Sequence, residues 1–214
     1  MNRRSRKVAY FVVPAALISL AIFGCSSKGD GPSYDVDGNL RVGWNQFSAA
    51  RYDSSKSTFQ DVLSHSTGNA EANLGLGWAW AFLKVYAESQ KCFRAATTSS
   101  QWRVDAQMGL ATIYRDIPNF DSAIAYCGRV LDADSSYSFV KRSTINYLDA
   151  HLIIAQSYFR KGTPFYDLVR DELDYLWVVK GLPQLPDPGS LSPAEYEDAL
   201  LERLTTLSAL LSQS

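Results

Sequence analysis

Apolar residues along most of this chain recur every three or four positions, the spacing of one face of an α-helix. The alternation of period two that marks a half-buried strand is absent. The helical pattern also repeats at a spacing of 34 residues, and three copies align without a gap. Their first matching triplets are Val42-Gly43-Trp44, Leu76-Gly77-Trp78 and Leu110-Ala111-Thr112. This period predicts stacked pairs of helices, because each pair can bury its apolar face only against its neighbours.

Later positions of the three copies also correspond. Aromatic, small and bulky residues follow in that order, at Tyr52, Tyr86 and Phe120, at Ser55, Ser89 and Ala123, and at Phe59, Phe93 and Cys127. The pattern resembles the tetratricopeptide repeat family. That resemblance implies an all-α fold, a right-handed solenoid of helix-turn-helix units in which small residues let helices A and B approach closely. Two of the three small positions hold serine where the family prefers alanine.

The repeats are predicted at 37–68, 70–101 and 104–134, with a degenerate fourth at about 145–179. The fourth copy starts ten residues late, and the insert lies in Ser135 to Thr144. Prolines in 180–191 predict a non-helical linker. Segment 192–214 then begins with Ser192 and Glu195 at capping-box spacing and has one apolar face, formed by Leu200, Leu204, Leu207 and Leu211. We expect a helix that caps the array; the alternative is that this stripe docks on a partner.

The amino terminus is predicted to be a targeting signal. Residues 1–24 begin with basic residues, continue with a 16-residue stretch dominated by apolar side chains and end at Gly24. That stretch is shorter than the roughly 20 residues of a spanning helix. The Gly24-Cys25 junction resembles the bacterial lipoprotein signal, which implies cleavage before Cys25 and lipid modification of this cysteine at the new amino terminus. Segment 25–36 would then be a flexible tether; the alternative is an uncleaved membrane anchor. Ser26 after the cysteine favours the outer membrane, facing the periplasm.

Charge and chemistry narrow the function. The leader holds four of the 21 basic residues and none of the 22 acidic ones. The remainder therefore has 17 basic and 22 acidic residues, a net charge of about −5. This gives no electrostatic reason to bind nucleic acid. His65 and His151 have no partner at a metal-ligand spacing, and no catalytic motif is present. We therefore predict no enzyme, cofactor or metal site. Cys92 and Cys127 are expected to be buried thiols, with a disulfide as the alternative.

The resemblance places the A helices along a concave face. The residues it implies for a partner-binding groove are Trp44, Phe47, Trp78, Phe82, Thr112 and Arg115. For the two tryptophans, a place in the core between helices is equally consistent with the pattern. The sequence thus favours a lipid-anchored scaffold that binds an envelope protein or peptide. The alternative is a receptor for a small ligand, peptide or glycan, that stacks on Trp44 and Trp78.

Overall fold

The computed structural model describes residues 34–182 and 190–212. The predicted signal peptide, Cys25 with most of its tether, and residues 183–189 of the linker lie outside these ranges. The described part contains nine α-helices and a 3-10 turn at Thr163–Phe165. The helices are α1 Val36–Ser48, α2 Tyr52–His65, α3 Ala70–Phe82, α4 Tyr86–Ala96, α5 Arg103–Asp116, α6 Phe120–Ala133, α7 Tyr147–Lys161, α8 Tyr166–Val179 and α9 Pro193–Ser212.

Short polar side chains define where several of these helices begin. Asp35, Asn69 and Asn119 accept hydrogen bonds from backbone N–H groups in the first turns of α1, α3 and α6. Asn146 and Asp149 form a reciprocal capping box on α7. These acceptors satisfy N–H groups that have no partner within the helix. Local sequence thus defines where these four helices begin.

The helices form two layers. Consecutive helices pack against each other, and each odd-numbered helix also contacts the next odd-numbered one, from α1 to α9. The odd-numbered helices therefore form one continuous layer, the inner face, and the even-numbered helices cover its other side. This is the all-α solenoid that the 34-residue period predicts. None of the helices in the described ranges has both the length and the apolar content to cross a membrane.

Glycines let the two layers approach closely. The ring of Phe59 in α2 lies between Gly43 of its own repeat and Gly75 of the next. A Cβ atom added to Gly43 would lie 2.7 Å from this ring, and one added to Gly75 would lie 2.2 Å from it. Both distances are shorter than Cβ contacts in real proteins. Each glycine therefore leaves the space that the aromatic ring fills.

The second repeat uses the same arrangement and the third replaces it. A Cβ atom added to Gly77 would lie 2.7 Å from the ring of Phe93, and one added to Gly109 would lie 2.3 Å from it. Allowing for the insert, the corresponding positions around α6 are Ala111, Cys127 and Ile153, all buried. Cys127 is smaller than the phenylalanine of the other repeats, and Ala111 and Ile153 are larger than the glycines. The total side-chain volume packed at this point is therefore conserved.

The two serines that replace the family's alanine make a specific contact. Ser55 Oγ donates a 3.0 Å hydrogen bond to the carbonyl oxygen of Gly43, and Ser89 Oγ donates a 2.8 Å bond to that of Gly77. Both serines are fully buried. Because each hydroxyl has a partner, burying it avoids the cost of an unsatisfied polar group.

Helix α9 covers the end of the array, as the sequence predicts. The carboxylate of Glu195 accepts a 2.8 Å hydrogen bond from the backbone N–H of Ser192, which is one half of the predicted capping box. The four leucines of the predicted stripe are buried against α7 and α8. The stripe is therefore used within the chain, and the alternative that it docks on a partner is wrong.

Candidate functional site: the inner face and the insert hairpin

The insert between α6 and α7 folds into a hairpin, residues 137–145, which we call the insert hairpin. The backbone N–H of Phe139 donates a 2.9 Å hydrogen bond to the carbonyl of Ile145, and Tyr147 N–H donates a 2.8 Å bond to the carbonyl of Tyr137. Tyr137 and Phe139 are buried, whereas Val140 at the tip is 76% exposed. One side of the hairpin therefore faces the solenoid and the other faces solvent.

Phe139 fills the space between the two equivalent tryptophans. Its ring centroid lies 5.8 Å from that of Trp44 and 5.6 Å from that of Trp78. It meets Trp44 edge-on and stacks on Trp78, both of which are favourable aromatic geometries. Phe139 has no solvent exposure. A residue from outside the repeats thus completes the aromatic core of the inner face.

Two basic residues of the hairpin bind the inner face next to Phe139. Lys141 Nζ lies 2.7 Å from Glu71 Oε1 and 5.5 Å from the centre of the Trp44 ring. The Arg142 guanidinium lies 4.8 Å from the centre of the Phe82 ring. These distances are typical of ion pairs and of cation–π contacts. Charge as well as apolar contact therefore holds the hairpin.

The carboxylates that receive the hairpin occupy equivalent positions of α3 and α5. Glu71 pairs with Lys141, and 34 residues later Asp105 Oδ1 accepts a 2.9 Å hydrogen bond from the Tyr137 hydroxyl. Burial raises the pKa of Asp105 to about 6, and the Tyr137 hydrogen bond and the Lys141 charge oppose that rise. Asp105 thus changes its protonation within a mildly acidic range, beside the base of the hairpin.

The structure corrects the groove assignment for three of the six expected residues. Trp44 is 5% exposed, Trp78 is 2% exposed and Phe47 has no exposure. Phe139 lies between the two tryptophans, so neither presents a free ring to a ligand in this state. Their assignment to an open groove is wrong, and the alternative place in the core is correct. The physical reason is the insert hairpin, which covers this part of the inner face.

The other three expected residues line an open cavity. Phe82, Thr112 and Arg115 surround a space of about 460 Å³ on the inner face, which Asp149 and the carboxyl-terminal end of α9 also border. Phe82 is 38% exposed. Burial raises the pKa of Asp149, while its capping bond and the charge of Arg115 oppose that rise. The cavity therefore combines an aromatic wall with two basic side chains, Lys84 and Arg115, and two acidic ones, Asp116 and Asp149.

A chain of polar contacts continues from this cavity to α9. Arg115 donates to Gln156 over 3.4 Å, and Gln156 donates to Ser208 over 3.1 Å. Beyond it lies a second cavity of about 490 Å³, bordered by Phe120, Phe159 and Leu201 among others. Both cavities share Arg115 and Asp116 in their walls. The open part of the inner face is therefore a two-part cleft along α5, α7 and α9.

Comparison with known proteins supports the architecture. No family model and no curated protein matches the chain. Among solved structures, MamA of AMB-1 superimposes with a TM-score of 0.58 at 11% identity, covering 84% of this chain and 93% of that one. A thermophilic tetratricopeptide protein of Thermus thermophilus gives 0.57 at 13% identity, covering 84% and 91%. The chain has the tetratricopeptide-repeat fold. A third match to this fold, from Parabacteroides merdae, gives 0.57 at 13% identity and covers 87% of this chain and 65% of that one.

The histidines and cysteines of this tetratricopeptide array lie apart from the cleft. His65 stacks on Tyr34 at 3.8 Å, and His151 Nδ1 lies 2.6 Å from a carboxylate oxygen of Glu172. Cys92 and Cys127 are free thiols, and burial raises the pKa of both, that of Cys92 to about 11. Within 34–182 and 190–212, no group of three or more His, Cys, Asp or Glu side chains could hold a metal ion.

Sequence reasoning missed the insert hairpin and the carboxylates beneath it. The available signal was weak: Asp37, Glu71 and Asp105 share one repeat position, but acidic residues are common in the first turn of any helix. The insert itself was visible as a ten-residue break in the period. Its aromatic and basic residues, Tyr137, Phe139, Lys141 and Arg142, were the stronger signal, because such side chains are frequent anchors of interfaces.

Proposed function

We propose that this chain is a lipid-anchored scaffold of the bacterial cell envelope that holds a protein partner on the inner face of its repeat array. The observation that carries the proposal is the open cavity lined by Phe82, Thr112 and Arg115. It offers aromatic, aliphatic and charged groups within one concave surface, as peptide-binding sites do. Stacked helical repeats commonly present such concave surfaces to other proteins.

The proposed anchor follows from the leader sequence. A basic start, a short apolar run and the Gly24-Cys25 junction support lipidation of Cys25 on the periplasmic side of the outer membrane. Several acyl chains anchor a protein stably where one does not. Replacing Cys25 with serine should then prevent processing or release the protein from membranes. A Cys25→Ser protein that is processed and still sediments with membranes would remove the anchor from the proposal.

A substitution in the cavity tests the scaffold function. Thr112 lines the cavity and is half-buried, so Thr112→Arg should fill the space without entering the core. The matched control is Thr67→Arg, the same change at an exposed site between α2 and α3. Tagged full-length proteins would be cross-linked in the envelope, purified in detergent and compared by quantitative mass spectrometry. A partner that wild type and Thr67→Arg recover should be lost from Thr112→Arg. Equal recovery from all three would contradict the proposal.

The small-ligand alternative loses its main support in this structure. It relied on Trp44 and Trp78 as stacking surfaces, and Phe139 lies between both rings. A glycan would have to displace this buried aromatic side chain before it could stack. A protein segment can compete for the same contacts, because it can supply an aromatic ring and charges of its own.

A further inference from the structure

The insert hairpin is additional to the repeat architecture. Residues 66–69 connect α2 to α3 and residues 97–102 connect α4 to α5, whereas residues 134–146 connect α6 to α7. The helices on either side of the long connection pack as in the other repeats. A short connection is therefore enough for neighbouring repeats to stack, so the additional residues of 134–146 have a role other than stacking.

The hairpin is attached to the solenoid by its side chains. The backbone hydrogen bonds of residues 137–145, in the part of the chain that the structure describes, join only residues 134–147 to one another, and Tyr147 at the start of α7 is the one helical residue among them. Removing it from the inner face would leave every helical backbone bond in place. A segment held in this way can separate as a unit, at the cost of the side-chain contacts of Tyr137, Phe139, Lys141 and Arg142.

These side chains fit the surface beneath them in a defined order. The aromatic Phe139 enters between Trp44 and Trp78, and two residues later Lys141 reaches the Glu71 carboxylate. Arg142 then lies over Phe82. The site thus selects an aromatic side chain followed at the second and third positions by basic ones. Hot spots of protein interfaces commonly combine aromatic and arginine anchors of this kind.

Charge complementarity extends beyond the residues in contact. Asp37 holds the position in α1 that Glu71 holds in α3, and it borders a cavity of about 510 Å³ beside Lys141. This edge of the inner face therefore presents carboxylates from three successive repeats to a basic segment. Opposite charges arranged in this way select a partner's sign and orientation.

The covered region and the open cavity meet at Phe82, and Trp78 and Ile145 also border that cavity. Phe82 contacts Arg142 of the hairpin on one side and lines the open cavity on the other. A segment that replaced the hairpin would therefore continue directly into the cavity bordered by Thr112 and Arg115. The two regions form one continuous surface that the chain itself occupies in part.

We propose that the insert hairpin is a built-in competitor in a peptide-binding site, and that the partner presents a turn with an aromatic residue followed two and three residues later by lysine or arginine. The inference rests on the proposed scaffold function and specifies its partner. The hairpin excludes weak ligands, because binding requires the fraction of molecules in which it has left the site. A partner segment with the same chemistry and further contacts in the open cavity displaces it.

A closed peptide copy of the hairpin is the probe for this site. Ser138 and Asn146 form an antiparallel bridge flanked by the hydrogen bonds of the hairpin, so they are a non-hydrogen-bonded pair whose Cα atoms lie close. Ser138→Cys and Asn146→Cys in a synthetic 136–147 peptide should allow a disulfide that fixes the turn. The control peptide carries Phe139→Ser in addition.

The test compares full-length wild type with a variant that lacks residues 135–144, both in detergent, by fluorescence anisotropy with the labelled peptides. The variant should bind the closed peptide at least about tenfold more tightly than wild type, because its site is open. The control peptide should not bind. Equal affinity of the two proteins, or no difference between the two peptides, would overturn the inference.

A second variant covers the case in which the deletion protein does not fold, as judged by circular dichroism. Phe139→Ala keeps the whole chain and removes only the central aromatic side chain of the hairpin. Its affinity for the closed peptide is then compared with that of wild type in the same way. Partner recovery separates this inference from the scaffold proposal. Suppose that the deletion variant and Phe139→Ala bind the closed peptide no more tightly than wild type, while Thr112→Arg loses a partner. In that case the scaffold function stands and the proposal of a built-in competitor is rejected.

Discussion

The indole N–H of Trp44 donates a 2.9 Å hydrogen bond to the Glu71 carboxylate. Trp78 occupies the equivalent position one repeat later, yet its buried indole nitrogen has no hydrogen-bond partner within the described chain. The residue equivalent to Glu71 is Asp105, which is one methylene shorter and is bonded by Tyr137. Two identical residues in matching repeats therefore differ in hydrogen bonding, because the carboxylate and the hairpin differ around them.

This difference predicts unequal effects of the same substitution. Trp44→Phe removes a hydrogen bond to a charged group, whereas Trp78→Phe removes a buried donor that is already unsatisfied. An unsatisfied buried group costs about 1–3 kcal/mol, so Trp44→Phe should destabilise the fold more than Trp78→Phe by at least about 1 kcal/mol. Both changes remove the same volume and serve as controls for each other. Urea unfolding would measure the difference, and equal midpoints would contradict it.

The close approach of Gly75 to Phe59 predicts a steric effect that runs against helix propensity. Alanine favours a helix over glycine by about 1 kcal/mol. Gly75→Ala should nevertheless destabilise by about 1–3 kcal/mol, because the added Cβ atom overpacks the ring. The control is Gly128→Ala in α6, where a Cβ atom meets nothing within 4 Å. It should leave the free energy of unfolding unchanged or raise it by up to about 1 kcal/mol.

A double substitution identifies the clash as the cause. Phe59→Leu alone should be destabilising, because it leaves space between the two glycines. Combined with Gly75→Ala it should cost less than the sum of the two single changes, as residues in direct contact are not additive. A double variant whose loss equals that sum would show that Gly75 is needed for some reason other than the space for the ring.

The repeats were predictable because the signals that define them are local. Helical spacing, the glycine-aromatic pattern and the capping residues lie within a single helix pair, and three copies reinforced one another. The capping role of α9 was predictable for the same reason, since Ser192, Glu195 and the leucine stripe lie in one segment. A stripe of this kind needs a neighbour, and the end of the solenoid supplies it.

These local signals did not predict which part of the inner face is covered and which part is open. Whether Trp44 and Trp78 are open or covered depends on Phe139, which lies 95 and 61 positions further along the chain. An alignment of repeats treats the insert as a gap and discards it. The contacts of the hairpin form only when the folded solenoid brings α1, α3 and the α6–α7 connection together. Phe82, Thr112 and Arg115 line an open cavity because no segment of the described chain fills the space between them.

The shifted ionisation of Asp105 predicts a pH dependence of stability. Its pKa rises from 3.8 to about 6 on folding, so the neutral acid is the form that the folded state favours. The contribution of Asp105 to the free energy of unfolding is therefore fully present below about pH 4 and is lost as the pH rises through 6. Asp105→Asn stays neutral and keeps an acceptor for the Tyr137 hydroxyl. The stability of this variant relative to wild type should increase from pH 4 to pH 7, as measured by urea unfolding. A relative stability that falls over this range would contradict the assignment.

The role of α9 as a cover predicts a contrast between two of its leucines. Leu207 has no exposure, whereas Leu201 is 49% exposed. Leu207→Ala should cost about 2–5 kcal/mol, because it opens a cavity against α7 and α8. Leu201→Ala should stay within about 0.5 kcal/mol, as surface changes usually do. Thermal melts of both variants would test this, and a similar loss for both would contradict the burial of the stripe.

The contact between Arg142 and Tyr52 spans 90 positions of the chain, at 3.4 Å between the guanidinium nitrogen and the hydroxyl oxygen. An ordinary helical array has interactions only between nearest neighbours, so its ends unfold independently of its middle. The insert hairpin instead staples the first repeat to the junction before α7. Fraying of the first repeat therefore breaks contacts with the hairpin as well as with the second repeat, which favours more cooperative unfolding than contacts between neighbouring repeats alone. A partner that displaced the hairpin would remove this link between the first repeat and the α6–α7 connection, so its binding would change the cooperativity of unfolding as well as the stability.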